Sequence, residues 1–259
     1  MPNAEPTRDG TTDWIKCFHP SPSAAVRLVC FPHAGGSAGT YLKLSARLRH
    51  EVEVLAVQYP GRQDRSAEPP PHDLHALADR ASEAVVARGT GPCVLFGHSM
   101  GAVVAYEVAA RLEARGAGPL GVVVSGSPAP SAPRERTIHH LGDDALLAEI
   151  RRLSGTDPRV LAHEDLMRLA LPAVRGDYTA LETYVHPRGQ RLGCPVRVVV
   201  GDQDPLVTPK AAESWAEHTA GTCDVRVLPG GHFYLQEQQD ELAALTLTWI
   251  GTLRTTPTR

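Results

Sequence analysis

The five cysteines of this 259-residue chain, Cys17, Cys30, Cys93, Cys194 and Cys223, form an odd, scattered set without a C-x-x-C pair. Neither a disulfide framework nor a zinc knuckle is expected from such spacing, and Cys30 and Cys93 lie inside apolar runs as small core residues. Long apolar stretches are missing too. Nowhere do about 18 consecutive apolar residues occur to span a bilayer, and the start, Met1 to Gly10, has no apolar segment of signal-peptide length. A cytoplasmic protein is the expectation. Charge of one sign is also lacking: the net charge is -3 and the isoelectric point about 6.5, which excludes a general affinity for nucleic acid or anionic membrane. Lysine is scarce, with Lys16, Lys43 and Lys210 against 23 arginines, so the cationic groups are mostly forked donors suited to phosphate. No repeat, heptad array or low-complexity tract is found.

What is present suffices for one core: 42% of the residues are hydrophobic, and the length approaches the upper size of a single domain. Residues 1–24 are polar and punctuated by proline, so they read as an N-terminal tail that Trp14 and Phe18 could anchor. From residue 25 to 254 apolar runs alternate with helical periodicity. Strands are expected at Val26 to Phe31, Val52 to Val57, Cys93 to Phe96, Val122 to Val124, Val196 to Val200 and Val225 to Leu228. Helices are expected at Tyr41 to Leu48, Leu74 to Val86, Ala102 to Leu112 and Asp240 to Leu253, with a second tail at 255–259. Nearly continuous β-branched runs belong to parallel strands covered on both faces, so the fold class is α/β, a mostly parallel doubly wound sheet. Ligands of such sheets bind beyond the carboxyl ends of the strands.

The alternation breaks at about 131–191. Asp143 to Leu153 and Glu164 to Val185 read as inserted helices, the second with Leu166, Leu169, Ala173, Val174, Leu181 and Val185 roughly along one face. Pro172 should kink or restart that helix. Inserted at the ligand edge, the pair is expected to form a lid.

Phe96-Gly97-His98-Ser99-Met100-Gly101 spells a strand, a sharp turn and a helix around one serine. Gly97 and Gly101 stand where neighbouring backbone must pass closely, and the turn presents the serine Oγ above the sheet edge, so Ser99 reads as an acyl-transfer nucleophile. A serine hydroxyl needs a base to take its proton and a carboxylate to hold the base's tautomer. This arrangement supplies them in the order serine, acid, histidine. Gly201-Asp202-Gln203-Asp204 follows one strand, and Gly230-Gly231-His232 follows the next. Asp204 is favoured over Asp202 because it stands at the far end of its turn, nearest the histidine loop, with Asp202 capping the turn. The preceding strand ends in Val124-Ser125-Gly126-Ser127-Pro128, which offers no acid. Of 12 histidines, His232 is favoured because two glycines let its loop reach the edge; His98 should point away from Oγ. His72 and His75 have i, i+3 spacing but no further ligand in view, so no metal is expected. Two N–H donors must meet the oxyanion. Met100 follows the nucleophile, and Ala34 is chosen from the Gly-rich loop Phe31-Pro32-His33-Ala34-Gly35-Gly36.

These segments resemble the stand-alone type II thioesterases that accompany polyketide synthases and nonribosomal peptide synthetases, within the α/β-hydrolase superfamily. The resemblance rests on His33-Ala34-Gly35-Gly36, Gln58-Tyr59-Pro60-Gly61-Arg62, Gly97-His98-Ser99-Met100-Gly101, Gly201-Asp202-Gln203-Asp204 and Gly230-Gly231-His232-Phe233. The lid segment Leu171-Pro172-Ala173-Val174-Arg175-Gly176-Asp177-Tyr178, leading to Tyr184, also looks like the family's. It implies hydrolysis of acyl thioesters on the phosphopantetheine arm of acyl or peptidyl carrier proteins, with Ser99, Asp204 and His232 as triad and Ala34 and Met100 as oxyanion donors. It implies no cofactor, and a carrier that comes in trans to a monomeric enzyme, since these residues include no carrier domain. Gly176 stands where many relatives have alanine, and should loosen the lid helix. Arg62, Arg65 and Arg175 are the candidate contacts for the arm's phosphate or an acidic carrier surface. A general carboxylesterase, a cyclising thioesterase and an inactive carrier-binding module remain the alternatives.

Overall fold

The computed structural model describes residues 14–89, 91–134, 137–153 and 164–255. Seven strands form one sheet: β1 (Ile15–Lys16), β2 (Arg27–Phe31), β3 (Glu53–Val57), β4 (Cys93–His98), β5 (Gly121–Ser125), β6 (Val196–Gly201) and β7 (Cys223–Leu228). Their order is β1-β3-β2-β4-β5-β6-β7, parallel throughout except for β1, which runs antiparallel to β3. The α-helices are α1 (Leu42–Leu48), α2 (Leu74–Ala87), α3 (Met100–Ala114), α4 (Asp143–Leu153), α5 (Glu164–Glu182), α6 (Pro209–Ala212) and α7 (Gln239–Thr255), with short 3₁₀ turns between several of the elements.

Alternation along the strands explains the layering. Val29, Phe31, Val122, Val124, Val196, Val198 and Val200 face a core with α2 and α3, whereas Leu28, Cys30, Val123 and Val199 face a second core with α1 and α7. Burial on both faces is what a β-branched parallel strand requires. Each βα unit thereby sends its connecting loop to the same sheet edge. The doubly wound α/β fold expected from the sequence is the fold observed.

Three expectations are corrected. The stretch 1–24 is not tail throughout: Trp14 and Ile15 are buried, β1 pairs Ile15 with Val57, and the Arg65 guanidinium lies 4.2 Å over the Trp14 ring. Residues 1–13 and 256–259 lie outside the described residues. Pro172 does not restart its helix: α5 runs through it and ends at Glu182 rather than Val185. The buried side of α5 also differs from the expected stripe. Met167, Leu171 and Val174 pack with Ile138, Leu146 and Leu147 of the insertion, while Leu169 is 78% and Val185 74% exposed. Leu166 lies outside the residues whose side chains are described. No described helix is long and apolar enough to cross a membrane.

Candidate active site

The turn after β4 is as tight as the glycines demand. A Cβ on Gly97 would lie 2.0 Å from the Gly101 carbonyl oxygen, and one on Gly101 would lie 2.0 Å from that of Phe31. Ser99 pays for this closeness with a left-handed backbone, φ 56° and ψ -120°, a sparsely populated conformation for a residue with a Cβ. Its N–H donates to the Ser125 carbonyl at 2.8 Å, so β5 holds the corner.

Two loops meet the serine. Asp204, 7% exposed, accepts from the Leu206 and Val207 N–H groups through Oδ1 at 2.8 and 3.3 Å, and its Oδ2 lies 2.9 Å from His232 Nδ1. The carboxylate can only accept, so Nδ1 carries the ring proton and Nε2 is left as an acceptor. That nitrogen lies 3.1 Å from Ser99 Oγ. Asp202 reaches across to the histidine loop instead of capping its own turn: its Oδ1 accepts from the Gly230 N–H at 2.8 Å, and the Gln203 N–H donates to the Gly230 carbonyl at 3.0 Å. The acid turn and the histidine loop are thereby joined at two points.

Met100 opens α3, so its N–H is among those a helix start leaves without an intrahelical acceptor. In the loop after β2, the Gly35 N–H is taken by Asp177 at 2.7 Å and the Gly36 N–H by the His33 carbonyl at 2.9 Å. Ala34 lines the cavity that holds Ser99 and His232. This cavity, about 230 Å³, is otherwise walled mainly by Pro128, Leu153, Tyr178, Leu181, Leu206 and Phe233. Leu153 ends α4, and Tyr178 and Leu181 belong to α5, so both inserted helices form its wall.

Behind the site lies a histidine cluster whose arrangement no local sequence pattern signalled. His98 is fully buried and points away from Oγ as expected. Its Nδ1 lies 2.9 Å from Ser125 Oγ, which in turn is 2.6 Å from the Tyr234 hydroxyl. The His98 ring centroid is 5.0 Å from that of His232, and His33 stands edge-on to Phe233 at 4.7 Å. Burial, with the neighbouring His232 and Arg62 adding to it, pushes the His33 imidazole down to about 3. Burial first, then His232 and His33, hold His98 well below the ordinary range. Both rings are neutral at physiological pH.

The three arginines expected on a docking surface are engaged internally. Arg62 pairs bidentately with Asp177 at 2.6 and 2.7 Å. Arg65 is buried, grips Glu68 and donates to the Gln58 carbonyl at 2.7 Å. Arg175 donates to the carbonyls of His139 and Leu141 and to Asp143. Their charges are therefore spent on tying loops and inserted helices together. His75 likewise has its own partner, the Val185 carbonyl at 3.0 Å from Nε2. Gly176 does not stand loosely in α5: a Cβ there would lie 2.6 Å from the Pro71 carbonyl oxygen.

A mostly parallel sheet that carries a serine on a strained strand-to-helix corner, with histidine and aspartate on the two following edge turns, defines an α/β-hydrolase. The chain belongs to the thioesterase family, whose model, described as "Thioesterase domain", matches residues 26–250. It is 49% identical over 232 residues to the probable cadicidin biosynthesis thioesterase of Streptomyces griseus, covering 90% of this chain and 64% of that protein. It is 50% identical over 231 residues to thioesterase PikA5 of Streptomyces venezuelae, covering 88% of this chain and 82% of that one. The solved structure of the type II thioesterase BorB, from the borrelidin biosynthetic cluster, matches with a TM-score of 0.86 at 46% identity, covering 91% of this chain and 97% of BorB. The chain thus spans just under two thirds of the length of the first relative and most of the other two.

Proposed function

We propose that this protein hydrolyses acyl thioesters carried on the phosphopantetheine arms of acyl or peptidyl carrier proteins, and so clears stalled or wrong acyl groups from polyketide or nonribosomal peptide synthases. The observation that carries this reading is the Ser99, His232, Asp204 chain of contacts, which opens into a mainly apolar cavity walled in part by the inserted helices. Similarity to PikA5 and BorB supports the pathway class. Residues 131–191 act as the lid of a domain that includes β1 and the buried Trp14 and runs on to residue 254. The reading includes a cytoplasmic monomer that meets its carriers in trans.

In the proposed mechanism Ser99 Oγ attacks the thioester carbonyl while His232 Nε2 takes its proton. Asp204 holds and stabilises the resulting imidazolium, and the Ala34 and Met100 N–H groups receive the oxyanion. Collapse breaks the carbon–sulfur bond, His232 Nε2 passes its proton to the departing sulfur, and the thiol leaves as an acyl-serine forms. Water, deprotonated by His232, then attacks the ester, and the serine recovers its proton as the free acid departs. No step calls for a cofactor. A thiol of pKa about 8.5 leaves readily, so hydrolysis of the oxygen ester is the slower half.

The test is a panel of acyl carrier substrates beside simple esters of the same acids, with product analysis by mass. The reading expects the carrier thioesters to have the highest kcat/KM and free acid to be the product. Faster turnover of simple esters would indicate a general esterase, a cyclised product a releasing cyclase, and carrier binding without turnover an inactive binding module.

A further inference from the structure

The Arg62–Asp177 pair joins two segments that lie 115 residues apart, and it closes on the oxyanion loop rather than on itself. Asp177, in α5, is fully buried. Its Oδ2 accepts from Arg62 Nη1 at 2.6 Å and from the Gly35 N–H at 2.7 Å, and its Oδ1 accepts from Arg62 Nη2 at 2.7 Å. Arg62 Nη1 also donates to the Gly36 carbonyl at 3.1 Å. Gly35 has φ +75°, and a Cβ there would lie 2.8 Å from Val174 Cγ2, so α5 rests directly on this turn.

The geometry has a consequence for the Ala34 N–H. That group shares a rigid peptide plane with the His33 carbonyl, which accepts from the Gly36 N–H at 2.9 Å. The next plane carries the Gly35 N–H, held by Asp177. The carbonyl of the plane between Gly36 and Ser37 is held by Arg62. Four consecutive peptide planes are therefore set, the first and third by the turn's own hydrogen bond and the second and fourth by the ion pair. The loop's entry is fixed separately, since Tyr41 and Tyr59 hydroxyls donate to the carbonyls of Phe31 and Pro32 at 2.6 and 3.3 Å. A plain tether between loop and helix could be apolar, because a buried ion pair gains little over well-packed hydrophobic groups of the same volume. What a carboxylate and a guanidinium add at this place is an acceptor for one backbone N–H and a donor for one carbonyl.

We infer that Asp177 and Arg62 are positioning residues that aim the Ala34 N–H at the oxyanion, so that the hole is complete only while α5 lies on the loop. The inference rests on the reading of Ala34 and Met100 as oxyanion donors. It makes the inserted helix part of the catalytic geometry as well as a wall of the cavity.

Two paired variants separate aiming from folding. Arg62→Met with Asp177→Leu replaces the ion pair by apolar groups, while Arg62→Met with Asp177→Asn removes the charges but keeps an acceptor for the Gly35 N–H. Each is assayed on an acyl carrier thioester and on the matching dithioester, whose C=S makes a larger, weaker acceptor in the hole, alongside Tm. Loss of an oxyanion donor costs roughly 100- to 1000-fold, so mis-aiming one should cost the apolar pair roughly 10- to 100-fold in kcat with little change in KM. Its thioester-to-dithioester rate ratio should fall about tenfold, and the acceptor-keeping pair, which holds the Gly35 N–H but still lacks the donor to the Gly36 carbonyl, should recover only part of both losses. An apolar pair with wild-type kcat and ratio overturns the inference, as does loss of activity that follows Tm with the ratio unchanged. Should the apolar pair not fold, Arg62→Lys keeps the charge yet loses the fork; a lowered ratio supports the inference and an unchanged one overturns it. Ser99→Ala in the same assay distinguishes the two layers. If it remains active, the underlying reading has failed; if it is inactive and the ratios do not move, only the positioning role has.

Discussion

Replacing Asp204 by asparagine tests the tautomer on which the whole site depends. Asparagine has the shape of aspartate, so the fold is preserved, but its two terminal atoms are no longer equivalent. The Leu206 and Val207 N–H groups both donate to one carboxylate oxygen, and they need an acceptor there. The amide oxygen is therefore drawn to that side, and the NH2 group is turned toward His232 Nδ1, 2.9 Å away. Nδ1 must now accept, which moves the ring proton to Nε2, facing Ser99 Oγ at 3.1 Å. A ring that presents N–H to the serine cannot take the serine's proton. Loss of the correct tautomer costs on the order of 10⁴ in kcat, about 5 kcal/mol in the barrier. Steady-state hydrolysis of an acyl carrier substrate, with Tm to confirm the fold, measures this. A folded Asp204→Asn variant within tenfold of wild type would refute the argument and return Asp202 as a candidate.

Three further outcomes follow from the packing. The His33 imidazole sits at about 3 in the fold against an ordinary 6.5, so the unfolded chain binds protons first; stability is full above about 6.5 and is lost as the pH falls toward 3. Urea unfolding at pH 5 should show a loss of at most about 2 kcal/mol from His33, which borders the cavity and is partly exposed, relative to neutral pH, with the buried His98 acting in the same direction, and equal stability at both pH values would count against the neutral rings. Gly176→Ala should lower Tm despite alanine's helix propensity, because its Cβ meets the Pro71 carbonyl oxygen at 2.6 Å; overpacking of this kind costs about 1–3 kcal/mol, and a raised Tm would refute it. The cavity of about 230 Å³ is near the small end for ligand pockets, so kcat/KM should be highest for short and medium acyl groups. A steady rise through the longest chains would show that the cavity does not set the limit.

Much of this site was legible in the sequence because its determinants are local. Gly97 and Gly101 announce the corner at Ser99, and the glycines before His232 and around Asp204 mark loops at strand ends, where a parallel sheet gathers them to one edge. The α/β alternation was equally readable from β-branched runs. Illegible were the contacts formed between distant segments. Arg62 looked like a surface cation until its partner, Asp177, was seen on α5. Gly176 looked like a weak helix residue, because propensity carries no trace of the Pro70–Pro71 loop that presses on it. Ile15 and Lys16 form too short a strand to show a period, and only the pairing with β3 reveals them. Leu169 and Leu171 are alike in composition, yet only the packing of the insertion decides that the second is buried.

The account's central claim is that carrier-bound acyl groups leave through an ester on Ser99. The most direct measurement mixes enzyme with an acyl carrier substrate, quenches within a single turnover, and reads the protein's intact mass and the fragment bearing residue 99. Wild type should carry the acyl group on Ser99 before free acid accumulates, and Ser99→Ala should show neither the adduct nor hydrolysis above the uncatalysed rate. An unmodified Ser99 throughout turnover, or a Ser99→Ala variant that still releases the acid, would contradict it.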